Sequence, residues 1–164
     1  MVALNATHVL MTGGFDGTRL LNQVFMFSSL TGEWTELPPM TEKRGGHSCG
    51  VVSGGTELVV AGGYISKSNS EILDLSTLIW RSGPALPSIR ESSASVPYEN
   101  SFLMVGGFMS GGILFEDILQ YDADAESWIT RPEKLDFGRD RAVAMMVPDE
   151  MVECKHKTIK DYIA

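Results

Sequence analysis

The sequence predicts an all-β protein built from repeated four-stranded antiparallel units. Three observations carry that prediction. An apolar run ending in two glycines and an aromatic ring occurs three times, as VLMTGGF at 9–15, LVVAGGY at 58–64 and FLMVGGF at 102–108. A tryptophan follows each run at a similar distance: Trp34, Trp80 and Trp128. A proline-bearing loop then closes on an arginine, at Arg44, Arg90 and Arg139. The recurrence falls in the roughly 40–50-residue period of sheet units that stack on copies of themselves.

Each element has its own signal. The apolar runs read as strands buried on both faces by neighbouring units. The glycine pairs, Gly13-Gly14, Gly62-Gly63 and Gly106-Gly107, end those strands where the chain bends and a side chain would clash. The next strands are QVFMF at 23–27, EILDL at 71–75 and DILQYD at 117–122. Polar turns follow them, and then the tryptophan strands, whose large flat rings suit the gap between adjacent units. After each arginine another strand begins: HSCGVV, SSASVP and AVAMMVP. The units are placed at about 6–37, 44–82 and 90–131, with a final lone strand at 141–147 and a non-repeating charged tail at 149–164. No stretch before the tail has a helical apolar period of useful length.

Composition narrows the function. Hydrophobic residues make up 43% and charged residues 21%, a core-forming balance rather than a disordered one. A net charge of −8 disfavours nucleic acid and anionic membrane surfaces as partners. Cys49 and Cys154 are too few for a disulfide framework. The opening MVALNATHVLM has no basic segment before an apolar one, so a cytoplasmic chain is the expectation, while the compartment itself is not fixed by the residues.

Together the glycine pairs, tryptophans and arginines resemble the kelch repeat. The family's tyrosine–aspartate marker stands as Tyr121-Asp122, with Leu73-Asp74 and Phe27-Ser28 as degenerate forms. Its arginine element is full at Arg44-Gly45-Gly46-His47-Ser48 and decays at Arg90 and Arg139. The resemblance covers residues 6 to about 148. It implies a partial kelch-type β-propeller of three four-stranded blades. Closed propellers have about 4–8 blades. The expectation is therefore a fragment of a longer ring, or an arc completed by self-association. The first blade is expected to lack its innermost strand.

Several chemistries compete with plain structural roles. Galactose-oxidase-like copper propellers need clustered histidines and tyrosines, but His8, His47 and His156 are scattered over different elements. No C-x-x-C metal spacing or G-x-S-x-G nucleophile turn occurs. Cys49 reads as an inert core residue. The expectation is no catalytic residue, no metal and no cofactor.

The resemblance instead implies a protein-interaction module, a scaffold or substrate adaptor, that grips a partner protein or peptide through its loop face. A carbohydrate-binding or galactose-oxidase-like fragment is the alternative. Arg44, Arg90 and Arg139 recur at one blade position, and two roles stand open for them. They tie loops to backbone carbonyls, or they form a basic mouth able to grip carboxylates of an acidic partner. Arg19, Arg141, Tyr64, Met109 and Phe115 join the expected partner-binding set from the neighbouring loops.

Overall fold

The computed structural model describes residues 1–64 and 68–147. Three four-stranded antiparallel sheets follow one another along the chain. The first holds β1 (Val2–Ala3), β2 (His8–Phe15), β3 (Leu20–Ser28) and β4 (Trp34–Leu37). The second holds β5 (Ser48–Val52), β6 (Glu57–Ala61), β7 (Ser70–Asp74) and β8 (Ile79–Gly83). The third holds β9 (Ala94–Tyr98), β10 (Ser101–Val105), β13 (Asp117–Asp122) and β14 (Ser127–Lys134). Between β10 and β13 lies a separate two-stranded hairpin, β11 (Phe108–Met109) with β12 (Ile113–Leu114). A 3-10 turn spans Ser53–Gly55.

The sheets stack face to face as blades, and β6 shows how. Leu58 and Val60 join the core shared with the first blade, alongside Leu10, Val24, Met40, Cys49 and Leu73. Val59 and Ala61 point the other way, into the core shared with Phe102, Met104, Leu119 and Tyr121 of the third blade. Strand alternation alone sends consecutive residues to opposite faces, so a strand sandwiched between blades must be apolar throughout. Tryptophans seal these joints. The Trp80 indole donates to the Pro38 carbonyl of the first blade at 2.8 Å, and that of Trp128 donates to the Pro84 carbonyl of the second at 3.2 Å. Trp34 meets no other blade among the described residues. It is 50% exposed and packs on Phe25 and Phe27 of its own sheet.

Tight turns join the third and fourth strands of each blade. Asp74 Oδ1 accepts from the amides of Ser76 and Thr77, and Asp122 Oδ1 from those of Asp124 and Ala125. These bonds hold the Asp74 carboxyl at about 2, with the Ser76 hydroxyl the largest cause. In the first blade Ser28 stands in the aspartate's place, and the turn keeps the backbone bond, Gly32 N–H to Ser28 carbonyl at 2.8 Å, that Leu78 N–H makes to the Asp74 carbonyl at 2.8 Å in the second. That bond explains how the degenerate marker is tolerated.

Three expectations need correction. The first blade does have an innermost strand, because Val2 and Ala3 pair with Leu10 and Val9. The third inter-strand loop folds into its own hairpin, so four sheets are present rather than three. Residues 141–147 form no strand. A strand needs a ladder partner, and the corresponding segments β5 and β9 each pair with a strand of the blade they open. No further blade follows 141–147 among the described residues. The tail at 149–164, with Cys154 and His156, lies outside them.

Gly50 exposes how closely the blades approach. A Cβ at this position on β5 would overlap the Phe102 ring of the next blade. Gly50→Ala is expected to lower stability by about 1–3 kcal/mol through overpacking. Urea unfolding reads this as a lower midpoint at unchanged slope.

Candidate functional site

The arginine that ends each proline loop is an inter-blade staple. Its carbonyl belongs to one blade and its side chain to the next. The carbonyls of Arg44, Arg90 and Arg139 accept from the amides of Gly14, Gly63 and Gly107, at 2.7, 2.9 and 2.7 Å. A Cβ on Gly13, Gly62 or Gly106 would run into that same carbonyl oxygen. Those first glycines also sit at left-handed φ, +49°, +68° and +64°. The pair is thus required twice over, by conformation and by close approach.

The side chains then reach forward. Arg44 Nη1 donates to the Gly62 carbonyl at 2.9 Å, while Nη2 meets Glu71 at 3.1 Å and Asn69 Oδ1 at 2.9 Å. Arg90 repeats the arrangement on the third blade. It donates to the Gly106 carbonyl at 2.9 Å and forks onto both Asp117 oxygens at 2.7 and 2.9 Å. Phe115 covers the Arg90 guanidinium, its ring centre 3.9 Å from Cζ.

These contacts decide between the two roles left open for the arginines. Arg44 and Arg90 are 0% and 1% exposed. They hold blades together and present nothing to a partner. Phe115 likewise serves Arg90. Met109 is half-buried in the hairpin, whose exposed apolar side chains are Ile113 and Leu114. Arg139 is exposed, and its side chain has no partner among the described residues.

The remaining expected residues do converge. Arg19, Tyr64 and Arg141 line one cleft of about 550 Å³, with Phe15, Leu20, Glu91 and the Gly45-Gly46 backbone. All three blades contribute. Backbone bonds running from loop to loop build its floor. The Ser92 amide donates to the Gly46 carbonyl at 2.6 Å, and the Arg141 amide to the Ser92 carbonyl at 2.8 Å. Each of these residues stands two places after a staple arginine, and each is at left-handed φ: +62°, +56° and +52°. For Ser92 and Arg141, which carry a Cβ, that conformation is strained and is held by the surrounding bonds.

Two aromatic rings stand open at this cleft, Phe15 at 62% and Tyr64 at 59% exposure. Arg19 and Arg141 bring exposed positive charge, each ion-paired with a carboxylate close in sequence, Asp16 and Asp140, at 3.4 Å. Burial pushes the Glu91 carboxyl up, while Arg141 pulls it back down. Sequence reasoning missed Phe15 and Glu91. Phe15 had a signal, because it occupies the position after the glycine pair that singled out Tyr64. Among the described residues no group of three or more His, Cys, Asp or Glu side chains is placed to hold a metal ion.

His47 lies beneath the cleft, its Nε2 2.7 Å from the Thr12 hydroxyl and its buried Nδ1 unpaired. Burial, then the positive N-terminus and Arg44, lower it from 6.5 to about 4. The unfolded chain therefore takes up a proton between pH 6.5 and 4 that the folded chain refuses. The stability this residue contributes is complete above pH 6.5 and is lost as pH falls toward 4. His47→Gln should flatten the unfolding free energy against pH across that window, by up to about 1.4 kcal/mol per pH unit. For the staple, Arg44→Met leaves Glu71 buried without its partner. It should cost about 3–5 kcal/mol in urea unfolding, against about 0.5 kcal/mol or less for Arg19→Ala.

Comparison with known proteins agrees with the repeat geometry. A kelch-motif family model matches residues 6–41. An F-box/kelch-repeat protein of Arabidopsis thaliana is 27% identical over 128 residues, covering 73% of this chain and 35% of that protein. Kelch-like protein 21 of Rattus norvegicus is 42% identical over 53 residues, 32% of this chain and 9% of that protein. Kelch-like protein terF of Aspergillus terreus is 27% identical over 159 residues, 85% of this chain and 34% of that protein. The chain thus spans about a third or less of the length of these relatives. The kelch-motif match and these relatives, with three glycine–arginine–tryptophan units in register, support a kelch-repeat assignment for this chain.

Proposed function

We propose that this chain is a protein-interaction module whose three-blade cleft binds a peptide segment of a partner protein. The observation that carries the reading is the cleft's composition. Two exposed aromatic rings and two exposed guanidiniums line one concavity, floored by backbone bonds that run from loop to loop. Aromatic side chains and arginine are the residue types that dominate binding energy at protein interfaces. Arginine also matches carboxylates bidentately. The ligand that fits is a peptide with an acidic residue beside an apolar one.

An adaptor or scaffold role is the form this function takes by kinship. Relatives named as F-box/kelch-repeat and kelch-like proteins support it. The staples narrow which arginines take part. Arg19 and Arg141 make the contact, and Arg44 and Arg90 support it from within.

Selection from a random peptide display library tests the reading without knowledge of the natural partner. Enriched peptides should carry Asp or Glu next to an apolar residue and bind more weakly as salt rises. The double variant Arg19→Glu/Arg141→Glu should weaken binding at least tenfold. Arg131→Glu, on the third blade away from the cleft, should leave it unchanged. Enrichment of peptides with no acidic residue, or equal binding by both variants, would overturn the proposal.

A further inference from the structure

The cleft's guanidiniums are outnumbered by carboxylates. Arg19 keeps Asp16 at 3.4 Å and Arg141 keeps Asp140 at 3.4 Å, so each brings a negative charge with it. Glu91 adds a third carboxylate to the lining. Its side chain makes no hydrogen bond or ion pair among the described residues. The charges that act on it are Arg141 and Asp140, and they act with opposite sign. Two positive charges and three negative ones thus gather at one concavity, in a chain whose net charge is −8. A ligand that brought acid alone would meet a surplus of like charge.

The backbone fixes where the third carboxylate stands. The Glu91 amide donates to the Phe108 carbonyl at 2.9 Å, and the Phe108 amide donates back to the Glu91 carbonyl at 2.8 Å. The next residue, Ser92, donates to Gly46 at 2.6 Å. Glu91 is therefore tied to the third blade's hairpin on one side and to the loop that enters the second blade on the other. It is half-buried, and burial is the largest cause that pushes its carboxyl up. Its charged form has lost water without gaining a donor, and a cationic group of a ligand would supply one.

We propose that the cleft selects a segment of mixed charge: an acidic side chain taken by Arg19 and Arg141, an apolar one packed on Phe15 and Tyr64, and a lysine or arginine taken by Glu91. This rests on the interaction reading above and adds the second charge to it. Glu91 is then the residue that sets specificity. A ligand base at this place is paired, whereas a second ligand acid there would face Glu91 and Asp140 together, and like charges set side by side exclude wrong partners. The Glu91 side chain is free for this task because its hold on the fold is through its backbone alone.

Selection from the random peptide library on the full chain should enrich Lys or Arg at a fixed offset from the acidic residue. Selection on Glu91→Gln should keep the acid and lose the base, and selection on Glu91→Lys should place a second acid at that offset. Glu33→Gln removes the same charge from the exposed turn between β3 and β4 and should keep both preferences. With one enriched peptide, replacing its base by Gln should weaken binding to the wild type by about fivefold or more, and binding to Glu91→Gln by less than twofold. Far-ultraviolet circular dichroism should be the same for all variants. Acidic peptides enriched with no base at a fixed offset, or a base preference that survives Glu91→Gln, would overturn this inference and leave the interaction reading standing. A library that enriches nothing, or only peptides without acid, would overturn both.

Discussion

Everything in this protein depends on one repeated interaction, an arginine that belongs to two blades at once. Its carbonyl takes the amide of a glycine in the blade behind, and its guanidinium takes a glycine carbonyl and a side-chain acceptor in the blade ahead. A guanidinium suits this task because its charge is permanent and its donors lie in a rigid plane. Placing it at 0–1% exposure costs desolvation, and carbonyls with a carboxylate offset that cost. The rest follows geometrically. The carbonyl must approach the backbone closely, so glycine is needed. The blades must sit at fixed separation, so the strand between them is apolar on both faces.

The same constraint builds the cleft. Once the arginines are fixed, the residues just after them are fixed too. Ser92 and Arg141 then link into a chain of backbone bonds across the blades. Their left-handed φ values are the cost of that linkage, and rigidity at the floor of the cleft is its result. Above the floor the side chains are free of structural duty. Phe15, Tyr64, Arg19 and Arg141 stay exposed because the fold makes no use of them. Buried and exposed arginines thus stand close together on successive loops: Arg90 is locked, and Arg141, on the next loop, is open.

His47 and Gly50 show the other side of this economy. Both lie on the segment that enters the second blade, where the blades crowd together. His47 is kept neutral by the surrounding apolar and cationic environment. Gly50 is kept bare by the Phe102 ring. Neither carries function by itself, yet both report on whether the blades are seated.

By itself the sequence determined the repeat. Its glycine pairs, tryptophans and arginines recur in register, and a period needs no tertiary knowledge to be seen. It also determined which strand lies between blades, since only a doubly buried strand is apolar at consecutive positions, as in LVVA at 58–61. The tertiary structure decided what each arginine does. Arg44, Arg90 and Arg139 are equivalent in sequence, yet among the described residues two are buried staples and one is exposed, because burial depends on contact with a neighbouring blade. It likewise decided that Val2–Ala3 is a strand and 143–147 is not, since pairing is a property of the neighbour and not of the segment. Phe15 and Glu91 entered the cleft only through loops brought together from different blades. That juxtaposition is set by the angle between sheets, which local residue patterns do not encode.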